Sequence, residues 1–343
     1  MTTSIFRPDV ALIVVTRNAQ QWWPDWIRGI QQQTVRVGRY LLIDSSSEDQ
    51  TTALATAAGF EVVSIDPQTF NHGGTRQLAA SLCPQADFLL YMTQDAILTQ
   101  PDSLQKLLQS MEDPSIGLAY GRHIPRTNAD CLEKHARLFS YPAQSSRREG
   151  KNIANLGYRA AFASDVYAVY RADALRSVGG FPAFIIANED SYLAARLLLK
   201  GWACQYQAES TVEHSHHYSM RQIFQRYFDI GVFHATHTDL LKTLGANAPD
   251  KQAGSYIYSL LLYLYQQHKS QLPLALMQTL VKWLGFCLGK YFQILPLGWC
   301  KRLSMQNAYW HQLSTRSQLG RSNPIEMPSE TMIEALMPLS NVK

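Results

Sequence analysis

The sequence lacks the features that several common classes of protein require. Its five cysteines, at positions 83, 131, 204, 287 and 300, form no C-x-x-C pair and have no metal-ligand spacing, so neither a disulfide framework nor a zinc site is indicated. No run of about 18 uninterrupted apolar residues occurs, and the first residues contain no apolar signal core. We therefore expect reduced thiols, no membrane-spanning helix and a cytoplasmic protein.

Two glycine-rich nucleotide-binding motifs are also missing. The polar loop after the first apolar run is Thr16-Arg17-Asn18, and it contains neither G-x-G-x-x-G nor G-x-x-x-x-G-K-[ST]. The first motif holds a dinucleotide pyrophosphate and the second cradles nucleotide phosphates. A dinucleotide-binding fold therefore has little support, and P-loop phosphate transfer has none.

Acidic residues are scarce in one part of the chain. Residues 220–321 contain eleven lysines and arginines against three aspartates and glutamates, although the net charge of all 343 residues is only +4. The same part contains two apolar segments, at residues 255–265 and 273–292, which are rich in Leu, Tyr and Trp. Apolar helices flanked by cations are typical of membrane interfaces, whereas two ordinary core helices are the alternative.

What is present points to a globular α/β domain with an appendage. Hydrophobic residues make up 46% of the chain and charged residues 17%. Apolar, β-branched runs at residues 10–15, 40–43 and 61–65 read as strands, and residues at helical spacing lie between them. This alternation predicts a parallel, doubly wound sheet. Residues 122–160 are largely polar, and we expect a long mobile loop there, either over the site or without a role.

Polar residues follow two of the predicted strands and are candidate ligands for a nucleotide. Asp44 ends the second strand, and Gln94 and Asp95 follow the buried run at residues 88–91. Ligands of open α/β sheets bind outside the carboxyl ends of the strands, where an acidic residue can bind a ribose or hold a cation. The structural alternative for Asp95 is that it only caps the next helix or turn, and for the Asp44 loop it is that a serine caps the next helix.

Three further segments carry candidate functional groups. A Gly-Gly turn at residues 73–74 leads into a helix whose Arg76 can reach a phosphate or hold acidic groups. Glu189 and Asp190 begin another predicted helix, where they either cap it or present a general base. His214 follows the last predicted strand and can add a metal ligand to Asp95.

Taken together, these segments resemble the inverting, GT-A-fold glycosyltransferases of the large bacterial family 2. The resemblance covers about residues 8–235 and rests on the loops after residues 15 and 43, the triplet Thr93-Gln94-Asp95 and the pair Glu189-Asp190. It implies a GT-A, Rossmann-like and mostly parallel sheet flanked by helices, with a C-terminal helical extension. The stretches 70–76, 93–96 and 226–231 are similar to bacterial rhamnosyltransferases, which use dTDP-L-rhamnose.

The resemblance also implies roles for individual residues. Asp190 would be the general base and Glu189 would support it. Asp95 would take the place of the last acid in the family's D-x-D motif and bind Mg²⁺ or Mn²⁺; because the first acid is missing here, His214 would compensate. The expected nucleotide-sugar site consists of Thr16, Arg17, Asn18, Asp44, Arg76, Gln94 and Asp95.

The expected enzyme is thus an inverting hexosyltransferase that moves a sugar, expected to be L-rhamnose, to a hydroxyl of a cell-surface polysaccharide or lipid-linked glycan. A family 2 enzyme with UDP-glucose or UDP-galactose, a sugar-nucleotidyltransferase and a non-catalytic scaffold are the alternatives. A nucleotidyltransferase would carry a Gly-rich, Arg-containing loop after its first strand, and a scaffold would bind no nucleotide.

The predicted organisation is a glycosyltransferase domain over residues 1–235, a basic helical region over residues 236–321 and a tail over residues 322–343. We expect the helical region to contact the inner face of the cell membrane, and we expect no nucleic-acid partner. Its predicted membrane contacts are four aromatic residues and three lysines: Trp283, Phe286, Tyr291, Phe292, Lys282, Lys290 and Lys301.

Overall fold

A mixed β-sheet forms the centre of the protein. The computed structural model describes residues 4–245 and 251–318. In these residues the strands are β1 (Ile5–Thr16), β2 (Val35–Asp44), β3 (Glu61–Ser64), β4 (Phe88–Thr93), β5 (Ile97–Leu98), β6 (Ile116–Ile124), β7 (Ser146–Arg148), β8 (Tyr167–Arg171) and β9 (Ala203–Glu213). Their order is β3-β2-β1-β4-β8-β6-β9-β5, and β7 pairs with β9.

Helices cover the sheet and continue beyond it. They are α1 (Trp23–Gln31), α2 (Thr51–Ala57), α3 (His72–Leu82), α4 (Ser103–Gln109), α5 (Cys131–Ser140), α6 (Ile153–Leu156), α7 (Ala172–Ser177), α8 (Glu189–Leu199), α9 (Met220–Thr236), α10 (Thr238–Thr243), α11 (Lys251–Gln267), α12 (Leu272–Lys290), α13 (Leu297–Leu303) and α14 (Asn307–Gln318). The predicted α/β class with a C-terminal helical extension is therefore confirmed. The predicted tail, residues 322–343, lies outside the described residues.

The N-terminal half of the sheet is parallel, as the sequence predicts. Strands β3, β2, β1 and β4 pair in parallel, and Val14 of β1 lies between Leu42 and Met92. Successive β1 residues face opposite layers: Leu12 packs with Trp23 and its neighbours, and Ile13 packs in the other core cluster. Both faces of β1 are buried, which explains its uninterrupted apolar sequence.

The C-terminal half of the sheet contains antiparallel pairs. Strand β8 runs antiparallel to both β4 and β6, and β5 and β7 run antiparallel to β9. Met92, near the end of β4, consequently pairs with Tyr167 at the start of β8. The amino end of β8 thus lies at the same sheet edge as the carboxyl end of β4.

Residues 122–160 do not form the long loop that the sequence predicted. Helix α5 lies within this segment and begins at a capped end, because the Asp130 carboxylate accepts a hydrogen bond of 2.8 Å from the Glu133 amide. Its Leu132 packs against Leu260 and Leu264 of α11. Arg148 of β7 is buried as well. The polar composition therefore reflects a short amphipathic helix and a buried arginine.

The extension packs on the sheet domain through a close crossing of α9 and α12. A Cβ atom on Gly289 of α12 would lie 2.0 Å from the Phe228 carbonyl oxygen of α9, and one on Gly231 would lie 2.3 Å from that of Phe286. Because even one added carbon would clash at these positions, the two backbones are in direct contact there. The small residues of α12 therefore face α9, and many of its large apolar side chains face outward.

The outward side of α12 and the segment after it form an apolar surface. Trp283, Tyr291, Ile294 and Trp299 are each at least 59% exposed. Among the residues that the structure describes, the helical segment Lys269–Lys290 is long and apolar enough to cross a membrane, judged by length and composition alone. The mean hydropathy of its 18-residue apolar stretch is 1.4, and 17% of that stretch is buried. Because length and composition alone do not distinguish a spanning helix from a core helix, the expectation of no membrane-spanning helix stays a prediction.

Two of the predicted membrane-facing aromatic residues have other contacts. Phe286 packs edge-on against His234, and Phe292 packs against Trp310 in the core of the extension. Lys282 lies over the rings of Tyr227 and Tyr256. These three side chains belong to the packing between helices, whereas Trp283 and Tyr291 remain exposed as expected.

Candidate active site

The loop after β1 is fixed by the residue that follows β4. The Gln94 side-chain oxygen accepts a hydrogen bond of 2.6 Å from the Thr16 hydroxyl and another of 2.9 Å from the Arg17 amide. Thr16 is buried, so its hydroxyl is engaged within the protein, whereas Arg17 is exposed at the sheet edge. Gln94 thus holds two neighbouring strand ends in register.

The loop after β2 joins the same edge. The Asp44 carboxylate accepts hydrogen bonds from the amide (2.8 Å) and the hydroxyl (2.5 Å) of Ser47, and Asp44 is almost fully buried. Asn18, in the left-handed conformation with φ of 50°, accepts a hydrogen bond of 2.9 Å from the Glu48 amide. The predicted nucleoside residues therefore lie in two loops that are tied together.

Asp95, His214 and His216 form a candidate metal site. The Asp95 carboxylate lies 3.3 Å from Nε2 of His214 and 3.8 Å from Nδ1 of His216. One ligand atom from each residue lies within 4.8 Å of the others. The Thr93 hydroxyl donates to Asp95 at 2.7 Å and orients it. The sequence predicted Asp95 and His214; His216 completes the cluster because side chains two residues apart on an extended chain share a face.

The protonation states of this cluster suit a cation. Burial lowers the pKa of His214, and it lowers the pKa of His216 to about 3, so both imidazoles are neutral. Burial acts to raise the pKa of Asp95, but the hydrogen bonds that its carboxylate accepts from the His214 ring and the Thr93 hydroxyl outweigh it, so the pKa is lowered and the carboxyl is ionised. One carboxylate and two neutral imidazoles fit a divalent transition metal such as Mn²⁺.

A cation and a stacked histidine surround this cluster, and sequence reasoning missed both. The Arg126 guanidinium donates to the Asp95 carbonyl oxygen at 2.6 Å and lies 3.9 Å above the Trp22 ring. His123, which is 1% exposed, stacks on Tyr141 at 4.0 Å. Both residues come from the segment predicted as a loop, so no strand-end signal marked them.

A second cluster surrounds Arg76. Its Nε lies 3.0 Å from the Asp165 carboxylate, and its Nη1 lies 3.2 Å from the Glu189 carboxylate. Only 8% of the Arg76 side chain is exposed. The structure therefore brings Arg76 together with the predicted catalytic pair, whereas the sequence placed it beside the nucleoside residues.

Asp165 is a functional candidate that the sequence did not reveal. It stands two residues before β8, and the Tyr170 hydroxyl donates to its carboxylate at 2.5 Å. The search for polar residues considered the carboxyl ends of strands. Because β8 is antiparallel to β4, it is the amino end of β8 that reaches this edge, and the Thr93 amide donates to the Val166 carbonyl oxygen there.

The start of α8 presents the two predicted catalytic carboxylates. Asn188 adopts the left-handed conformation with φ of 60°, and Glu189 follows as the first helical residue. The Asp190 carboxylate accepts a hydrogen bond of 2.6 Å from the next amide, that of Ser191. Glu189 is buried against Arg76, and Asp190 retains partial exposure.

Burial and the charges of this cluster give Glu189 and Asp190 different pKa values. Burial raises the pKa of Asp190 to about 8, and the charges of Glu189 and Asp165 act in the same direction. Burial would also raise the pKa of Glu189, but the charge of Arg76 outweighs it, and the pKa is lowered. Glu189 is therefore ionised at neutral pH, and Asp190 is a carboxyl group that can exchange a proton there.

Comparison with known proteins places the chain among carbohydrate-transferring enzymes. The sequence pattern of the glycosyl transferase family group 2 matches residues 88–311. The O-antigen chain rhamnosyltransferase WbaN of Salmonella anatum is 37% identical over 311 residues, which are 90% of this chain and 98% of that protein. The rhamnosyltransferase RfbN of Salmonella typhimurium is 37% identical over 309 residues, with the same two coverages.

Solved structures share the fold at low sequence identity. The mannosyltransferase PcManGT of Pyrobaculum calidifontis, solved with GDP-Man and Mn²⁺, matches with a TM-score of 0.53 and 15% identity, over 92% of this chain and 88% of that chain. Residues 1–349 of S. aureus TarS, solved with UDP-GlcNAc, match with a TM-score of 0.52 and 13% identity, over 91% and 92% of the two chains. The GT-A-like fold predicted from the sequence is thereby confirmed.

Proposed function

The chain belongs to the glycosyl transferase family group 2, and from this premise we propose that it is an inverting rhamnosyltransferase. It would move L-rhamnose from dTDP-β-L-rhamnose to a hydroxyl of a cell-surface polysaccharide or of a lipid-linked glycan. The observation that carries the proposal is the 37% identity to two O-antigen rhamnosyltransferases over nearly their whole length.

The base of this reaction would be Asp190. A sugar hydroxyl is a poor nucleophile, and it becomes a good one when a carboxylate removes its proton as it attacks. The acceptor oxygen forms a bond to the anomeric carbon while the bond from that carbon to the diphosphate oxygen breaks. The proton passes to Asp190 and dTDP leaves, so a β-linked donor gives an α-rhamnoside.

Glu189 and Arg76 would set the proton affinity of the base. The ion pair between them keeps a permanent negative charge next to Asp190. Like charges at short range raise the proton affinity of the second carboxylate, which then removes the hydroxyl proton more effectively. Asp165 holds the other side of the Arg76 guanidinium and fixes its orientation.

The other predicted site residues would bind the donor. Asp44 ends β2, and Arg17 and Asn18 lie in the loop after β1, which Asn18 ties to the loop after β2. Thr16 and Arg17 bond to Gln94, which follows β4. Asp95, His214 and His216 would hold Mg²⁺ or Mn²⁺, and two imidazoles favour Mn²⁺. A bound ion of this kind offsets the negative charge that the leaving diphosphate gains.

The test is a panel of nucleotide sugars. We expect dTDP-β-L-rhamnose to raise the melting temperature of the protein more than UDP-glucose or UDP-galactose does, because specific binding stabilises the folded state. Transfer should likewise occur with the rhamnose donor, and NMR of the product should show an α-linkage. Stabilisation and transfer with a UDP-sugar instead would contradict the donor assignment.

A substitution tests the metal site in the same assay. Asp95→Ala removes the one carboxylate of the cluster, so we expect the stabilisation by dTDP-rhamnose with Mn²⁺ to fall to the level seen in excess EDTA. Glu48→Ala, on the exposed loop after β2, is a control that should keep the metal response. A wild-type protein that is fully active in excess EDTA would contradict the metal role.

The enzyme would work at the cytoplasmic face of the cell membrane. This part of the proposal is supported by the exposed aromatic side chains of α12 and the following segment, and by Lys290 and Lys301 beside them. Aromatic rings and lysines are the usual contacts of a helix that lies in a bilayer interface. A lipid-linked acceptor would be held in the same membrane.

A further inference from the structure

His72 and Gln306 form a polar pair beside Glu189 that has no part in the mechanism above. His72, the first residue of α3, places its Nδ1 3.8 Å from the Glu189 carboxylate, and about 35% of its side chain is exposed. Its other ring nitrogen, Nε2, lies 3.3 Å from the side-chain nitrogen of Gln306. Gln306 belongs to the C-terminal extension, so this pair joins the extension to the catalytic carboxylates.

Aromatic rings lie next to the pair. Phe70 packs edge-on against His72, with ring centroids 5.1 Å apart. Phe184 stacks on Tyr309 at 4.5 Å with an interplanar angle of 17°. The loop that carries Phe184 touches the start of α3, since a Cβ on Gly73 would meet the Pro182 carbonyl oxygen. Tyr309 is buried behind Phe184, and we call the partly exposed side chains of Phe70, His72, Phe184 and Gln306 the His72 shelf.

The position of Gln306 is fixed by hydrogen bonds from α9. The Asp229 carboxylate accepts a hydrogen bond of 3.0 Å from the Met305 amide, and the Gln225 side chain donates to the Ser304 carbonyl oxygen at 3.2 Å. The Gln306 amide itself donates to the Ser304 hydroxyl at 2.9 Å. The shelf is thus held in place before any ligand arrives, and pre-organisation reduces the entropic cost of binding.

The composition of the shelf suits a sugar ring. Amide and imidazole groups can donate to and accept from hydroxyls, and aromatic faces cover the apolar side of a pyranose. Partly exposed polar groups among aromatic rings are typical of a site for a small polar ligand. The chemistry therefore fits a carbohydrate better than an apolar or strongly charged ligand.

The location favours the acceptor over the donor. In an inverting displacement the attacking hydroxyl and the leaving diphosphate lie on opposite sides of the anomeric carbon. The diphosphate belongs with the cluster around Asp95, and no hydrogen bond or ion pair in the described residues joins His72 or Gln306 to that cluster. The shelf instead adjoins Glu189, which precedes the proposed base Asp190 in the chain.

We propose that the His72 shelf binds the terminal sugar of the acceptor, with His72 and Gln306 bonding its hydroxyls and the aromatic rings lining its apolar side. This inference rests on the proposed function, because an acceptor site requires a transferase. It assigns part of the acceptor site to the C-terminal extension.

The experiment measures acceptor and donor constants separately. The variants are Gln306→Ala and His72→Ala, the acceptor is a synthetic polyprenyl diphosphate with one terminal hexose, and the control is Gln31→Ala at the exposed end of α1. For Gln306→Ala we expect the acceptor KM to rise roughly 3- to 10-fold, the usual effect of losing a neutral hydrogen bond. The donor KM and the slow hydrolysis of dTDP-rhamnose without acceptor should stay unchanged.

Gln306→Ala decides the outcome, because His72→Ala also removes a neighbour of Glu189. An unchanged acceptor KM in Gln306→Ala, or an equal rise in the donor KM, would overturn the proposal. If the wild-type enzyme accepts another nucleotide sugar, the donor assignment fails, and the same comparison is made with that donor. Failure of the shelf and failure of the donor assignment therefore give different results.

Discussion

At the residue scale, three carboxyl groups share the charge of one arginine. Asp165 and Glu189 both lie within 3.2 Å of Arg76, and Asp190 stands next to Glu189 in the chain. One cation does not neutralise three carboxylates, so the least favourably placed group holds a proton. That group is Asp190, which is also the partly exposed one and can therefore meet a substrate.

The first prediction concerns the base. Asp190→Asn keeps the size of the side chain but cannot accept the hydroxyl proton. We expect kcat for transfer to fall by at least ~100-fold, the usual contribution of a general base, with little change in donor binding. Steady-state kinetics and thermal shift with dTDP-rhamnose measure the two quantities, and Asp173→Asn on the far helix α7 is the control. Near-normal turnover of Asp190→Asn would exclude this residue as the base.

The second prediction concerns pH. Since burial raises the pKa of Asp190 to about 8, the group is mostly protonated below that pH and competent as a base only above it. We expect kcat/KM to rise with pH, about tenfold per unit at first, and to level off near pH 8 rather than near pH 4. The Asp190→Asn variant should lose this dependence. A flat wild-type profile between pH 5 and 8 would be incompatible with the raised pKa.

At the scale of elements, the crossing of α9 and α12 depends on glycine. Gly289→Ala places a methyl group 2.0 Å from the Phe228 carbonyl oxygen, so the helices must separate. We expect a loss of about 1–3 kcal/mol in stability and a lower melting temperature. In α11, a Cβ on Gly254 would have no heavy atom within 4 Å, so Gly254→Ala should be neutral or stabilise by up to ~1 kcal/mol. Equal melting temperatures for the two variants would contradict the crossing.

The sequence predicts those elements whose partners follow a simple rule. Strands β1, β2 and β4 are apolar and parallel, so their polar ends at Thr16, Asp44 and Asp95 could be placed at one edge. The carboxylate of Asp165 could not be placed at this edge from the sequence, because the antiparallel direction of β8 is set by its pairing with β4. Helix α5 was missed because its apolar partners lie more than a hundred residues later, on α11.

The sequence predicted which chemical groups the site contains, but it did not predict which of them contact one another. Arg76 was recognised as a cation that could hold acidic groups, yet its partners come from segments about 90 and 113 positions away. Only tertiary packing brings them together. The boundary at residue 235 stays a prediction; it falls in the last turn of α9, which packs on α12 of the extension.

At the scale of the whole molecule, the apolar surface of α12 predicts binding to anionic vesicles. Each lysine near such a surface adds roughly 1 kcal/mol, so we expect co-sedimentation with anionic vesicles that weakens in salt. Replacing both Trp283 and Ile294 by Asp should abolish it without a change in melting temperature, since both side chains are at least 59% exposed. Phe6→Asp, at an exposed position of β1, is the matched control.

Two results would contradict this prediction. One is failure of the wild-type protein to bind anionic and neutral vesicles alike. The other is equal binding by the wild type and the Trp283/Ile294 double variant. Either result would assign the outer face of α12 to packing against protein and would favour a soluble acceptor.

The backbone contact between α9 and α12 also has a geometric consequence. Because the two backbones touch at the glycines of the crossing, α12 cannot slide or tilt far relative to α9, and α9 in turn fixes Gln306. If α12 rests on a bilayer, the height of the proposed catalytic carboxylates, Glu189 and Asp190, above the lipid is therefore a fixed length. A terminal sugar at that height reacts, whereas the newly added rhamnose lies one sugar unit beyond the carboxylates. The enzyme would then add one rhamnose to each acceptor chain, and the mass of its products would show that number of added sugars.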